Sequence, residues 1–242
     1  MTMQKRSDID KSHRVRDMFA TIAGRYDFLN HFLSANVDRR WRRICVEEIK
    51  KRSTVPNPRI LDLGCGTADL SIAFSSMGAV IGCDFCYPML RIGVGKIRNE
   101  AYSNRILLAG ADALLLPFTD ASFDVVVSAF VLRNLTDIES GFREARRILR
   151  PGGLMGVLDF GMPRTPVLAP LYRMYFRKIL PKIGKVVSGV EGPYGYLPDS
   201  VQAFPSVERL KEMAEDSGYC DVEYRLLTAG IAILLIGKAV QY

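Results

Sequence analysis

The stretch Arg59-Ile60-Leu61-Asp62-Leu63-Gly64-Cys65-Gly66-Thr67-Ala68-Asp69-Leu70 constrains this chain more than any other. It reads as a short apolar strand, a glycine turn and a helix start. Asp62 falls at the carboxyl end of the strand, where open α/β sheets bind ligands. Gly64 and Gly66 allow a sharp turn and close approach of a ligand to the backbone. Thr67 and Asp69 are expected to cap the following helix, whose apolar face is Leu70, Ile72, Ala73 and Phe74.

Glycines after a strand suit a dinucleotide or S-adenosylmethionine, and an ordinary βα turn is the bland alternative. A dinucleotide loop wants a third small residue, so that the helix N-terminus approaches a pyrophosphate. Here that place holds Asp69, whose charge repels phosphate. S-adenosylmethionine carries a sulfonium and an ammonium instead, and both favour carboxylates. Acids on each side of the glycines therefore point to S-adenosylmethionine.

The remaining strands supply further acids. Gly78 to Asp84 reads as a second buried strand, and Asp84 lies about 20 residues past Gly64, the spacing at which an acid reaches ribose hydroxyls. Ile106 to Ala111 is a third strand running into Asp112-Ala113. Asp112 there can accept from an adenine amino group while the adjacent N–H meets a ring nitrogen, or it is simply a turn aspartate. Phe123 to Phe130 is a near-continuous apolar run, as expected of a parallel strand buried on both faces. Ala129 at its end completes the expected cofactor lining, and Arg133 and Asn134 follow just beyond the strand's carboxyl end, in the crevice. Asp137 to Arg150 is predicted helical and stopped by Pro151-Gly152-Gly153. Leu154 to Phe160 is a fifth strand with Asp159 near its end. After a long interruption, Ser206 caps a helix to Ser217. Two close strands, Cys220–Leu227 and Gly230–Ala239, then suggest an antiparallel pair.

This alternation predicts an α/β fold, a doubly wound, mostly parallel seven-stranded sheet. It carries N-terminal helices and a helical insert before the last helix. The expected division within one domain is an N-terminal helical cap (1–55), a cofactor-binding core (56–160), a helical insert over the substrate (161–205) and a closing helix and strand pair (206–242). In the N-terminal part, Val15, Met18, Phe19, Ile22 and Ala23 predict one helix. Asp38 is expected to cap a second, from Arg39 to about Lys51. Tyr26 and Asp27 between them either pack and cap or line a substrate site.

Composition narrows the class. The 242 residues are 48% hydrophobic and 24% charged, as in a globular protein. No run is long and apolar enough to span a bilayer, and Met1 to Lys11 does not read as a secretory signal. Five cysteines without a signal suggest a reducing cytoplasm. Cys83 and Cys86 form a lone CxxC pair with only His13 and His31 to assist, so no metal site is expected. The net charge of +7 fits nucleic acid, anionic lipid or plain solubility.

Several runs together resemble the ubiquinone/menaquinone biosynthesis C-methyltransferases, a family of class I, Rossmann-like S-adenosylmethionine-dependent methyltransferases. They are Tyr26-Asp27-Phe28-Leu29-Asn30 with Leu33-Ser34 and Arg40-Trp41, Phe130 to Asn134, and Arg147-Ile148-Leu149-Arg150-Pro151-Gly152-Gly153 running to Asp159. Leu180 to Gly184 and Tyr194 to Ser200 match the family's insert. The likeness spans about Arg14 to Ala239. Val131 stands where the family usually has glycine, Asp159 where it has glutamate, and Gly161 where it has serine.

The resemblance implies methylation of a ring carbon on a prenylated hydroquinone. Arg133 would stabilise a developing phenolate, Asn134 would orient the hydroxyl or a water, and Tyr26, Asp27 and Asp159 are candidate base or orienting groups. It implies a quinol as partner and no nucleic acid. A membrane surface and a second copy of the chain are further candidate partners. The insert's apolar Leu168, Leu171, Tyr175, Ile179 and Ile183, with Arg173, Arg177, Lys178, Lys182 and Lys185, suggests contact with an isoprenoid tail at the membrane's inner face. Methylation of another small molecule at oxygen or nitrogen, methylation of RNA, and a non-catalytic binding module are the alternatives. The RNA reading is opposed by Phe130-Val131-Leu132-Arg133, where an Asn/Asp-Pro-Pro-aromatic run would stand.

Overall fold

A computed structural model describes residues 3–34, 36–163, 168–174 and 193–240. The chain opens with helices α1 (Met3–Leu33) and α2 (Val37–Arg52). An alternating stretch follows: β1 (Arg59–Leu63), α3 (Asp69–Phe74), β2 (Ala79–Asp84), α4 (Tyr87–Ile97) and β3 (Ile106–Gly110). Next come β4 (Phe123–Ala129), α5 (Ile138–Ile148) and β5 (Leu149–Phe160). Helices α6 (Leu168–Met174) and α7 (Pro193–Ala203) precede α8 (Val207–Asp216), β6 (Tyr219–Leu227) and β7 (Ala232–Ala239).

The seven strands form one sheet in the order β3-β2-β1-β4-β5-β7-β6. The first five are parallel, and β7 pairs antiparallel with both β5 and β6. The expected α/β sheet and its closing antiparallel pair are both present.

Strand alternation explains why both faces carry helices. In β1, Leu61 and Leu63 join a core with Phe142 and Ile148 of α5 and Leu210 of α8. Ile60 joins the opposite core, with Trp41, Cys45 and Ile49 of α2 and Leu70 and Phe74 of α3. In β4, Val126 faces the first core, and Val125 and Val127 the second. A strand apolar on both faces needs a cover on each side. The order reverses between β1 and β4, which leaves a crevice beyond their carboxyl ends.

Several local expectations are corrected. The first predicted helix is longer than its apolar pattern, 31 residues from Met3 to Leu33, and takes in Tyr26 and Asp27. Asp38 does not cap α2. It lies inside the helix, 2% exposed, and accepts from Arg42 one turn on, while Asn36 holds the N-cap position in a left-handed conformation. Neither Thr67 nor Asp69 caps α3. The N-cap position is Ala68, at φ 69°, with no side-chain bond. Ser206 caps α8 as expected, accepting from the N–H of Arg209, and Asp137 likewise caps α5, accepting from the N–H of Ser140.

Pro151-Gly152-Gly153 lies past the helix end. Helix α5 stops at Ile148, and the chain pairs at once, Leu149 with Phe123. Pairing resumes at Leu154 with Val125, so Arg150 to Gly153 bulge out of the ladder. A Cβ at Gly153 would lie 2.9 Å from the Arg150 carbonyl oxygen, so this excursion has no room for a side chain.

Candidate active site

A cavity of about 350 Å³ occupies the crevice beyond the strand ends, a size suited to a small-molecule ligand. Each strand near the switch point contributes the residues that follow it. Gly64 and Gly66 come after β1, Asp84 ends β2, Asp112 and Ala113 follow β3, and Ala129 ends β4. Helix α1 forms the facing wall with Ser12, His13, Val15, Phe19 and Tyr26. Lys11 anchors this wall by donating to the Leu135 carbonyl at 2.7 Å.

The glycine loop is stitched to β2. The N–H groups of Gly64 and Cys65 both donate to the Cys83 carbonyl, at 2.7 and 2.9 Å. Gly66 N–H donates to Asp84 Oδ2 and Cys86 N–H to Asp84 Oδ1, each at 2.8 Å. Gly64 sits at φ +69°, and a Cβ there would come within 2.4 Å of the Val131 side chain. Glycine is therefore required by conformation and by space. Burial pushes the Asp84 carboxyl up from its ordinary range, and the backbone N–H donors pull it back down. A carboxylate so held keeps further lone pairs for a ligand's hydroxyls.

Asp62 faces the α2–α3 side of the sheet and is 1% exposed. Ser71 of α3 donates to its Oδ2 at 2.6 Å, and its Oδ1 has no hydrogen-bond partner. Burial raises this carboxyl to about 7, with Ser71 and Arg42 opposing the rise and Asp84 adding to it. A buried acceptor without a donor is costly, and such groups mark a missing ligand atom or water. A small cavity of about 20 Å³ lined by Asp62, Gly64, Gly66, Thr67 and Ala129 adjoins the main one. An orphaned carboxylate oxygen there fits an ammonium, so the residues present fit S-adenosylmethionine.

Asp112 lines the cavity and accepts from Leu114 N–H at 2.9 Å through one oxygen. Thr67 is 2% exposed and donates to Asp27 of α1. Lys96 of α4 donates to the other Asp27 oxygen at 2.9 Å, to Thr67 Oγ1 at 3.4 Å, and to Asp69. Asp27 is thus a fastener between α1 and the cofactor loop and lies outside the main cavity's lining.

Arg133 and Asp159 form a buried pair. Arg133 Nη1 lies 2.7 Å from Asp159 Oδ1, with side chains 6% and 0% exposed. Asp159 also accepts from Phe160 N–H at 2.8 Å. The guanidinium sits against the rings of Phe160 and Phe130, at 5.1 and 5.9 Å. Neither residue lines the cavity, so the expected placement of the Arg133 side chain in the crevice is corrected. The turn Leu132–Asn134 reaches the crevice, and Asn134 is the residue of the pair that lines it. Asn134 Nδ2 donates to the Phe130 carbonyl at 3.1 Å. Of the five candidate catalytic residues, Tyr26 and Asn134 meet in the main cavity, while Asp27, Arg133 and Asp159 are engaged with charged partners beside it.

Sequence reasoning missed Lys96, Arg42 and the Phe130–Phe160 ring pair, whose centroids are 4.7 Å apart. Lys96 carries no local signal, because its partners are 27 and 69 residues away. Arg42 had one, since Asp38 and Arg42 are one helical turn apart. Phe130 takes φ 65°, a strained choice for an aromatic residue that no pattern announces. Burial raises the thiols of Cys45, Cys65, Cys83 and Cys86 and disfavours their thiolates. For Cys45 and Cys83 the rise reaches about 12, and nearby Asp62 adds to it.

A parallel-antiparallel sheet in this order, with an acid-lined cavity at its switch point, defines the class I methyltransferase architecture. The same fold occurs in a structure from Thermotoga maritima described as an S-adenosylmethionine-dependent methyltransferase, possible histamine N-methyltransferase. It has a TM-score of 0.61 and 18% identity over 92% of this chain and 98% of that one. The chain belongs to the ubiE/COQ5 methyltransferase family, whose model matches residues 7–239. It is 40% identical to the ubiquinone/menaquinone biosynthesis C-methyltransferase UbiE of Geobacter sp. (strain M21), over 94% of this chain and 97% of the relative. It is 44% identical to the demethylmenaquinone methyltransferase of Thermus thermophilus, over 91% of this chain and 99% of the relative.

Two consequences are measurable. Unfolded, the Asp62 carboxyl loses its proton near pH 4, and folded it does so at about 7. Between these values the unfolded chain holds fewer protons, so stability falls as pH rises through the window. Asp62→Asn removes this effect. The wild-type melting temperature should drop relative to the variant between pH 5 and 8, and a constant difference would mean that Asp62 is charged throughout. Second, Arg133→Met leaves Asp159 buried and unpaired and should cost about 3–5 kcal/mol in urea unfolding. Arg133→Met combined with Asp159→Leu should recover part of that loss. Additive costs would show that the pair is not coupled.

Proposed function

We propose that this chain transfers a methyl group from S-adenosylmethionine to a ring carbon of a prenylated hydroquinone, of the demethylmenaquinol type or the equivalent ubiquinone precursor. One observation carries the reading. A single cavity has carboxylates at the strand ends along one side and a largely apolar wall with Tyr26, Phe130, Val131 and Asn134 on the other. The family and the names of its members support the substrate class.

S-adenosylmethionine supplies an electrophilic methyl on a sulfonium. Asp84 would accept from the ribose hydroxyls, its position set by Gly66 and Cys86. Asp112 would accept from the adenine amino group, with Ala113 beside it. Gly64 and Gly66 admit the ligand to the backbone, and Ala129 borders both cavities. The acceptor carbon becomes nucleophilic as its neighbouring phenol loses a proton, so the chain must orient that hydroxyl. Asn134 and Tyr26, which line the cavity, are assigned to it. Arg133 and Asp159 act through the turn that carries Asn134, and Asp27 acts through the loop that it fastens.

The deciding experiment incubates the purified protein with methyl-labelled S-adenosylmethionine and a short-tailed demethylmenaquinol. The expected product carries the label on a ring carbon by mass spectrometry and NMR. Label on oxygen, or none on any quinol, would overturn the reading. Asp84→Ala should weaken cofactor binding by about 10–100-fold, the loss of a charge-assisted bond of roughly 1.5–3 kcal/mol. Unchanged affinity by calorimetry removes Asp84 from the site.

Contact with a membrane surface forms part of the same proposal, because a prenylated quinol must be drawn from lipid. Among the described residues no helix is long and apolar enough to cross a membrane. The candidate segment centres on residues 168–185. Most of its named side chains lie outside the described residues, and Met174 at the end of α6 is 46% exposed. Each basic residue near anionic lipid contributes about 1 kcal/mol, so several give reversible binding. The protein should sediment with anionic liposomes at low salt, and a variant with Glu at Arg173, Arg177 and Lys178 should not. Equal behaviour of the two ends this part of the reading.

A further inference from the structure

Two buried polar atoms of opposite charge lack partners beside the glycine loop. One is Asp62 Oδ1 and the other is Arg42 Nε. Both residues line the same small cavity, which shares Tyr26, Gly64, Gly66 and Ala129 with the main one. We propose that Arg42 binds the α-carboxylate of the cofactor's amino-acid end, with Asp62 taking the α-ammonium. The proposal rests on the S-adenosylmethionine reading and goes beyond it, because Arg42 comes from α2, outside the α/β repeat that holds the nucleoside.

The guanidinium has one edge to spare. Arg42 is 7% exposed, and its Nη1 is committed to Asp38. Its Nη2 lies 3.7 Å from Asp69, beyond hydrogen-bond length, and its Nε has no acceptor. Nε and Nη2 together form the side edge of the fork, which matches a carboxylate with two parallel bonds. Asp38 is itself fixed by Ser34, whose hydroxyl donates to its Oδ1 at 2.6 Å, and the Phe130 ring lies 5.4 Å from the guanidinium carbon. The side chain is thus held in place from both sides.

Other cations near the loop are already engaged. Lys96 has three acceptors, Asp27, Thr67 and Asp69, one for each N–H. Arg133 is held by Asp159, and although its Nε is also unpartnered, it lines neither cavity. Among the described residues that line the two cavities, Arg42 is the single lysine or arginine. A zwitterionic end of the ligand would satisfy both orphaned atoms at once, and an uncharged end would satisfy neither.

Ligands that differ only at this end test the proposal. S-adenosylhomocysteine carries the α-carboxylate and α-ammonium, and 5′-methylthioadenosine lacks both. Calorimetry should show Arg42→Gln binding S-adenosylhomocysteine about 10–100-fold more weakly than wild type, the range for a lost bond to a charged group. Its affinity for 5′-methylthioadenosine should be unchanged, and Arg42→Lys should restore part of the loss. Equal weakening toward both ligands would make Arg42 a structural residue and overturn the proposal. If Arg42→Gln does not fold, wild-type protein decides alone. Replacing the α-carboxylate of S-adenosylhomocysteine with its carboxamide should lower affinity at least about 10-fold, and no change overturns the proposal. Wild type that binds neither nucleoside would instead refute the S-adenosylmethionine reading itself.

Discussion

The bonds between the glycine loop and the end of β2 hold the site together. Cys83 accepts two loop N–H groups through its carbonyl, and Asp84 accepts a third through its carboxylate. A loop with positive φ at Gly64, Gly66 and Ala68 has no helical or sheet ladder of its own to satisfy its donors. Without acceptors on β2 it would have to turn them to solvent, and the cavity floor would be lost. The parallel register of β1 and β2, Leu63 beside Cys83, puts those acceptors within reach. The sheet therefore shapes the site directly, through its backbone as well as its side chains.

Charge inside this protein is handled in two ways. Arg133 and Asp159 are buried and paired with each other away from both cavities, with Arg133 Nε left unpartnered. Removing one partner there is expensive, while the pair itself adds little to stability. Asp62 and Arg42 are buried to a similar degree but incompletely satisfied. The same solvent exclusion thus yields a structural strut in one place and a cavity-lining pair in the other. The difference lies in position, because Asp62 and Arg42 line the small cavity and Arg133 and Asp159 line neither.

Period and punctuation made the sheet legible in the sequence. Apolar runs ending in Asp62, Asp84 and Asp159 located three strand ends, and Gly64 with Gly66 located the crevice. Asp84 was singled out by its spacing from Gly64 and Asp112 by its place just after a strand, and both line the cavity. Less legible were the ends of elements, where tertiary bonds override local preference. Asp38 and Thr67 both look like helix caps, yet each spends its side chain elsewhere, on Arg42 and on Asp27. Arg133 was misplaced for a related reason. Its backbone position follows from the strand, but its side-chain direction is decided by Asp159, 26 residues away.

The Tyr26-Asp27 pair illustrates what a short signature encodes physically. The two neighbours divide the work. Tyr26 faces both cavities, while Asp27 turns to Thr67 and Lys96. On a helix, adjacent residues point about 100° apart, so one can line a site while the next fastens the helix beside it. Helix α1 is held over the cavity by the Asp27 carboxylate, which bridges a loop hydroxyl and an α4 ammonium, by Lys11 on the Leu135 carbonyl, and by the packing of Phe19 and Ala23 with Cys86 and Met89. Placing that fastener next to the lining residue fixes Tyr26 relative to the glycine loop with one residue of lever arm. The side chain proposed to meet the quinol and the loop proposed to hold the methyl donor are thereby tied together by adjacent residues of one helix turn.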